Sequence, residues 1–175
     1  MRQVRSAACS DRPKGDITVD ETVILTSSPA QTEALGEELA RTLPAGSVLA
    51  LFGGMGMGKT CFARGIARGL GLADEVASPT FAIVSEHRLT PEGEPAPIPL
   101  FHFDMFRISS EEELFFTGFY EYLEEGGILL IEWSENIQPW LPEGTHPITF
   151  ERLSQEERRI TLPQSLPFSR KDDRK

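Results

Sequence analysis

Cysteine is scarce in this chain, whose 175 residues include only Cys9 and Cys61. Two cysteines are too few for a disulfide framework, and these two lie too far apart in sequence for a CxxC metal or redox unit. Long apolar runs are also missing, because the longest ones, at 47–52 and 127–133, are far shorter than the roughly 20 residues of a membrane-spanning helix. We therefore expect a protein of the reducing cytoplasm that has no membrane partner.

Positive charge is in deficit. The 17 basic and 27 acidic residues leave a formal net charge of -10. This is the wrong sign for a protein that binds a nucleic-acid backbone with its own surface. Any nucleic acid that the protein serves is therefore expected to be held by a partner. Residues 1–16 contain arginine and serine but no apolar segment, so they do not resemble a secretory signal.

The length and composition predict one globular domain. An apolar content of 39% and a charged content of 25% are ordinary for a folded chain, and 175 residues are too few for two comfortable domains. Polar sequence at both ends predicts flexible tails at 1–18 and 164–175. The folded domain is expected to span 19–163.

The hydrophobic pattern predicts an α/β protein. Strands are expected at 21–26, 47–52 and 127–133, and the last two are apolar at nearly every position, as central strands are. A helix is expected to begin at the Ser28 cap, with Pro29 in its first turn. Leucines at positions 35, 39 and 43 give that helix a stripe that should be buried.

Two hairpins are expected in the second half of the chain. The proline-rich segment 90–99 is too short to contain a crossover helix, so 78–89 and 98–108 should pair antiparallel. The segments 146–153 and 158–163 form a second plausible hairpin. Between the hairpins, a serine cap followed by Glu113 predicts one or two short helices.

A phosphate-binding loop is the strongest motif. Gly53, four residues, then Gly58, Lys59 and Thr60 match its pattern in full. Glycines let backbone N–H groups point at phosphate oxygens, the lysine reaches the β and γ phosphates, and the threonine hydroxyl ligates Mg²⁺. An apolar strand precedes the match and a helix follows it, so a P-loop fold is expected. The expected nucleotide-binding residues of the loop are Gly53, Gly54, Met55, Gly56, Met57, Gly58, Lys59, Thr60 and Cys61.

A P-loop nucleotidase also needs an acidic residue near its metal, usually at the end of a neighbouring buried strand. Glu132 follows four aliphatic residues and has the better Walker B pattern, whereas Asp104 ends a run that His102 interrupts. Thr80 could reach the γ-phosphate or the metal, although a threonine after Ser-Pro is more often part of a turn. His102 is expected to pack or to lie at the surface rather than to act as a base.

Two absences narrow the nucleotide and the reaction. The chain has no Asn-Lys-x-Asp motif, and Asp104 is followed by Met-Phe-Arg rather than by two residues and glycine, so ATP is favoured over GTP. The region where a kinase lid would lie, 88–98, contains only one basic residue, Arg88. A kinase that clamps a second phosphorylated substrate is therefore less favoured.

Four motifs, GGMGMGKT, SPTF, HFDMFR and IEWSE, occur in this order and together resemble those of the TsaE family, also called YjeE. The resemblance extends from about Thr32 to about Leu162. It implies a P-loop NTPase fold with a central mixed sheet flanked by helices, which binds ATP and Mg²⁺. It also implies a role in bacterial tRNA threonylcarbamoyladenosine biosynthesis. There the ATPase acts with TsaB and TsaD, which modify adenosine 37 of tRNAs that read codons beginning with A, so that contact with tRNA is indirect.

The resemblance implies roles for single residues as well. Lys59 and the loop amides would hold the phosphates, while Thr60 and Glu132 would be associated with Mg²⁺. Thr80 matches a switch-like threonine of the family and Asp104 its DxYR aspartate. The expected catalytic residues are therefore Glu132, Asp104 and Thr80.

Three further positions fall where the family approaches the nucleotide: Thr32, Glu135 and Arg158. Arg159 competes with Arg158 for the same role, and the sequence does not decide between them.

Four positions depart from the usual family pattern, which has an acidic residue at Gly54, alanine or serine at Met57, tyrosine at Phe106 and a hydroxyl residue at Ala82. The first two changes should leave the amide cradle intact. The last two remove hydroxyl groups that could position the switch region.

Three functions stay open from the sequence. The leading hypothesis is an ATPase that resets a tRNA-modifying assembly. A small-metabolite P-loop kinase is the alternative enzyme, and phosphate transfer without any partner would favour it. A binding module that uses ATP only to fix its shape would work equally well with a non-hydrolysable analogue.

Overall fold

The computed structural model describes residues 21–73 and 83–166. Within these ranges a seven-stranded mixed sheet has the spatial order β1-β7-β6-β2-β5-β4-β3. The strands are β1 Glu21–Thr26, β2 Val48–Phe52, β3 Val84–Leu89, β4 Pro95–Asp104, β5 Ile128–Glu132, β6 His146–Arg152 and β7 Arg158–Pro163. The helices are α1 Pro29–Ala40, α2 Lys59–Gly69, α3 Glu111–Phe116 and α4 Phe119–Glu124, with short 3-10 helices at Ser134–Asn136 and Gln138–Trp140. The predicted α/β class with a mixed sheet is confirmed.

Apolar clusters cover both faces of the sheet. On one face α1 and α2 pack against alternate residues of the central strands, among them Leu49, Leu51 and Leu130. On the other face α3, α4 and the segment after β5 pack against the residues in between, such as Phe103 and Ile131. Every residue of β5 is buried. The sheet is thus the middle of three layers, as its unbroken apolar strands predict.

Strand direction brings many segment ends to one edge. β2 pairs parallel with β5 and with β6, and β4 pairs parallel with β5. The outer pairings, β1 with β7, β6 with β7 and β3 with β4, are antiparallel. The carboxyl ends of β1, β2, β4, β5 and β6 therefore lie at the same edge, together with the amino ends of β3 and β7. In open α/β sheets ligands bind at this edge.

Both predicted hairpins are present, but β4 is longer than expected. It begins at Pro95, inside the segment predicted as a proline-rich loop. Its prolines at 95, 97 and 99 precede Leu100, where pairing with β5 starts. The missing N–H groups therefore remove no bond to β5, which is why prolines are tolerated at this end of the strand.

The short helices expose more aromatic surface than a core helix would. Ser110 caps α3 by accepting a hydrogen bond from the Glu113 amide, and the Glu113 carboxylate accepts from the Ser109 amide, so the predicted cap is confirmed. Leu114 is buried, but Phe115 and Phe116 are 58% and 77% exposed.

Leu166 lies beyond the predicted domain end at 163 and is nevertheless part of the core. No helix in the described ranges has the length and apolar character needed to cross a membrane.

Glycines let α1 and α2 approach closely. A Cβ on Gly65 of α2 would overlap the Glu33 carbonyl group and lie 2.9 Å from the backbone nitrogen of Glu37. Gly36 of α1 meets the Phe62 carbonyl in the same way, and Gly69 meets that of Glu37. The backbones of the two helices are thus in direct contact, which holds the start of α2 in place against the sheet.

We predict that Gly65→Ala destabilises the protein although alanine favours a helix. The new methyl group meets backbone atoms, which cannot rotate away, so the free energy of unfolding should fall by about 1–3 kcal/mol or more. Urea unfolding measures this change. Arg64→Ala, on the exposed side of the same helix, should change stability by no more than about 0.5 kcal/mol. Equal stability of the two variants would contradict the close packing.

Candidate functional site

The glycine loop connects the end of β2 to the first turn of α2. Gly53, Gly56 and Gly58 have φ angles of 127°, 71° and 102°, which other residues adopt only with strain. At Gly53 a side chain is excluded twice, since a Cβ would also lie 2.6 Å from the Phe150 carbonyl oxygen. Gly54 has no such restriction, because a Cβ there would meet only the Met57 methyl group at 3.8 Å. The glycine at position 54 is therefore not needed to fold the loop.

Lys59 is buried inside the loop that precedes it. Its ammonium group donates to the carbonyl oxygens of Gly53 and Gly54, the latter at 2.9 Å. The same group lies 4.5 Å from the centre of the Trp133 ring, as a cation–π pair does. Burial lowers the pKa of Lys59, and the negative charges of Glu132, Glu135 and Asp104 oppose that shift. The loop thus folds around one cation at the carboxyl edge of the sheet.

Trp133, whose ring contacts Lys59, has an unusual backbone conformation. It is the only non-glycine residue in the described ranges with a positive φ, 60°. This left-handed turn follows β5 directly and leads into a 3-10 helix. Backbone strain of this kind persists where surrounding structure enforces it, often at functional sites. Here the turn occurs where the indole ring lies against Lys59. The Phe106 ring packs on the indole, with 4.8 Å between the ring centroids.

Thr60 and Glu132 meet at the mouth of the loop. The Thr60 hydroxyl donates to Oε1 of Glu132 at 3.3 Å, although 72 positions separate the two residues. Glu132 is 4% exposed and also receives a hydrogen bond of 3.1 Å from Nε2 of His102, on the neighbouring strand β4. The loop hydroxyl and the strand-end glutamate, both of which are expected near Mg²⁺, are therefore in contact.

Asp104 lies beside Glu132, since the two residues pair in register at the ends of β4 and β5. Its carboxylate accepts a hydrogen bond of 2.9 Å from the Phe106 amide and is half-buried. Asn136 donates to the backbone oxygens of Met105 and Phe106, which ties this turn to the segment after β5. Both predicted acids thus line the same edge, with Glu132 the more deeply buried.

A cavity of about 760 Å³ opens above these groups. Its walls come from the start of α1, the loop, the ends of β4 and β5, and the turn before β7. The lining residues predicted from the sequence are Thr32, Met55, Gly56, Met57, Gly58, Lys59, Thr60, Cys61, Asp104, Glu132 and Arg158. The lining residues not predicted are Ser28, Pro29, Ile83, Phe106, Arg107, Trp133, Gln155 and Glu156.

The structure distinguishes Arg158 from Arg159, because only Arg158 contacts the glycine loop. Arg158 reaches over the loop, donates to the Gly56 carbonyl at 3.3 Å and lines the cavity. Arg159 points elsewhere and pairs with Glu151 at 2.8 Å. β7 begins at this edge of the sheet. Because successive side chains of a strand point to opposite faces, only one of the two arginines can face the loop.

Two expected residues contribute less directly or cannot be placed. Glu135 is exposed and does not line the cavity, and it acts on Lys59 only through its charge. Thr80 and the SPTF motif lie outside the described residues, as does Ala82. Gly53 and Gly54 contribute carbonyl oxygens that hold Lys59 rather than cavity wall.

The contact of His102 with Glu132 is one that sequence reasoning did not find. His102 was expected to pack or to lie at the surface, and it is indeed fully buried, but its ring contacts the site acid. The only sequence signal was a polar residue inside an apolar strand, and which acid it contacts depends on strand order and register. The Trp133 ring, which lies against Lys59, is a second residue of the site that the sequence analysis did not single out.

These features define a P-loop NTPase fold, with a glycine loop around a buried lysine and a hydroxyl paired with a strand-end acid. Comparison with known proteins agrees. The family model described as threonylcarbamoyl adenosine biosynthesis protein TsaE matches residues 26–160. The chain belongs to the TsaE family.

Relatives in two bacteria support this assignment. The chain is 37% identical to the tRNA threonylcarbamoyladenosine biosynthesis protein TsaE of Treponema pallidum, over 77% of this chain and 95% of that protein. It is also 37% identical to the protein of the same name from Bacillus subtilis, over 78% and 82%. The crystal structure of Bacillus subtilis YdiB superposes with a TM-score of 0.67 at 31% identity, covering 84% of this chain and 87% of that one.

Thr32 makes a buried contact that can be tested by itself. Its hydroxyl lies 2.8 Å from that of Thr26, and the two residues are 2% and 1% exposed. We predict that Thr32→Val costs about 1–3 kcal/mol of unfolding free energy, because the Thr26 hydroxyl loses its partner without access to water. The double variant Thr26→Val/Thr32→Val should lose less than the sum of the two single changes in urea unfolding. Additive losses would show that the two hydroxyls do not interact.

Proposed function

We propose that this protein is a Mg²⁺-dependent ATPase that acts with TsaB and TsaD in forming threonylcarbamoyladenosine at position 37 of tRNA, in the cytoplasm. The observation that carries the ATPase part is the contact between the Thr60 hydroxyl and Glu132 at the mouth of the glycine loop. That contact unites a phosphate-binding element with a strand-end acid. Family membership supports the tRNA-modification part.

Phosphate binding would use groups that are already in place. The Lys59 ammonium has three donor hydrogens, and the carbonyl groups of Gly53 and Gly54 occupy two of them. One donor therefore remains for a phosphate oxygen without breaking the loop. The start of α2 adds backbone N–H groups and the positive end of its dipole.

The site also fits Mg²⁺. Its candidate ligands, the Thr60 hydroxyl and the Glu132 carboxylate, are hard oxygen donors. Mg²⁺ usually takes only one or two protein ligands and completes its shell with phosphates and water. When bound, Mg²⁺ would neutralise charge on the transferred phosphoryl group.

The negative net charge and the exposed apolar residues at the cavity support dependence on a protein partner. A net charge of -10 opposes direct binding of tRNA. At the mouth of the cavity Met55 and Phe106 are 80% and 55% exposed, and a protein partner would cover such apolar surface. Coupling of ATP hydrolysis to the state of an assembly fits this arrangement better than phosphorylation of a free metabolite.

We predict that Lys59→Ala abolishes ATP binding, because the loop loses its only side-chain charge on the β and γ phosphates. Isothermal titration calorimetry with ATP and Mg²⁺ measures the affinity. Since Lys59 also holds the loop carbonyl groups, thermal unfolding should be measured in parallel. A folded variant with wild-type affinity would remove the P-loop assignment.

We predict that Glu132→Gln retains ATP binding but slows hydrolysis by at least about 10-fold, because the metal and the attacking water lose an anionic anchor. The amide oxygen of glutamine can still accept from Thr60 and His102, so the fold should be unaffected. Phosphate release in the presence of TsaB and TsaD measures the rate. A near-normal rate, combined with a slow Asp104→Asn variant, would transfer the role to Asp104.

The assembly itself is tested by three assays of ATP turnover. The protein is assayed alone, then with TsaB and TsaD, and then with tRNA added. Strong activation by the partners supports the proposed function. Transfer of phosphate from labelled ATP to a small metabolite in the absence of partners would favour a kinase instead.

A further inference from the structure

His102 is a polar residue at a fully buried position of the sheet. It lies on β4 among the apolar residues Leu100, Phe101 and Phe103 and is 0% exposed. Its only hydrogen bond within the described ranges joins Nε2 to Oε1 of Glu132, at 3.1 Å, and its Nδ1 has no partner there. Buried polar atoms are nearly always hydrogen-bonded, so burying a ring with one unpartnered nitrogen costs free energy. A functional role for the contact with Glu132 would explain why the ring is kept there.

The direction of the hydrogen bond follows from its partners. An ionised carboxylate only accepts, so Nε2 is the nitrogen that carries the proton and donates. Nδ1 is then an acceptor without a donor. Two donors, His102 and Thr60, thus converge on the same oxygen of Glu132. The second oxygen, Oε2, accepts no hydrogen bond from the described residues.

We propose that His102 is a positioning residue that fixes the Glu132 carboxylate and keeps its Oε2 available for Mg²⁺ or for a Mg²⁺-bound water. A glutamate side chain has three rotatable bonds, and a bond from one side alone would leave it free to turn. His102 holds Oε1 from β4 while Thr60 holds it from α2. Partners that orient a ligand in this way typically change metal affinity by about 10–100-fold when they are removed. This inference rests on the proposed function.

Two substitutions separate positioning from packing. In glutamine the amide nitrogen Nε2 is as many bonds from Cα as Nε2 of histidine, so His102→Gln can still donate to Glu132. In asparagine the amide nitrogen is one bond closer, at the place of the orphaned Nδ1, so His102→Asn cannot reach. Both variants bury an uncharged amide in place of the ring, which makes them a matched pair.

The measurement is the affinity for the non-hydrolysable analogue AMPPNP, by calorimetry, with Mg²⁺ and with EDTA. Mg²⁺ should strengthen binding to the wild type and to His102→Gln by similar factors. In His102→Asn the gain from Mg²⁺ should shrink by about 10-fold or more, while affinity in EDTA stays unchanged. Thermal unfolding of all three proteins without nucleotide shows how much stability each substitution costs.

The outcomes discriminate. If both variants keep the wild-type gain from Mg²⁺, or lose it equally in proportion to their loss of stability, His102 serves packing only and the inference is wrong. If the wild type itself gains nothing from Mg²⁺, the proposed Mg²⁺-dependent function fails and this inference fails with it. A selective loss in His102→Asn alone supports the positioning role.

Discussion

The parallel pairing of β2 with β5 is the constraint on which the rest of the site depends. In this register Leu51 lies opposite Glu132, so β5 ends at the level where β2 gives way to the glycine loop. Strand side chains alternate between faces, and a slip of one residue would turn Glu132 to the opposite face, away from Thr60. The aliphatic residues that pin this register, buried on both faces of the sheet, therefore determine the geometry of the polar groups at its edge.

The other parts of the site follow from that edge. β4 extends the same register and places Asp104 beside Glu132. Because β6 is also parallel to β2, the turn that follows it returns Arg158 to the loop. The result is a cation, Lys59, surrounded by carboxylates on a protein that is acidic overall. A polyphosphate entering this site would add negative charge beside Glu132 and Asp104, which is the electrostatic reason for including a divalent cation in the proposed function.

The sequence predicted the elements well, because local signals and burial agreed. The loop pattern, the Ser28 and Ser110 caps and both hairpins are found in the structure. Glu132 could be ranked above Asp104, since an unbroken aliphatic run marks a central strand. Contacts between distant segments were harder. Nothing in the order of residues shows that His102 faces Glu132 or that Arg158 rather than Arg159 faces the loop, because these relations depend on strand order and register. The length of β4 was also missed, since prolines usually end strands and their tolerance here depends on where β5 begins.

The close contact between α1 and α2 has a consequence for protein engineering. Replacement of helical glycines by alanine is a common route to thermostable variants, because it lowers the entropy of the unfolded chain. Gly36, Gly65 and Gly69 look like suitable targets in the sequence, yet each abuts backbone of the opposite helix. A consensus or propensity-guided redesign would select these positions first and would separate the helix that carries Lys59 and Thr60 from its support. Stabilising changes in this protein should instead be sought on the outer faces of the helices.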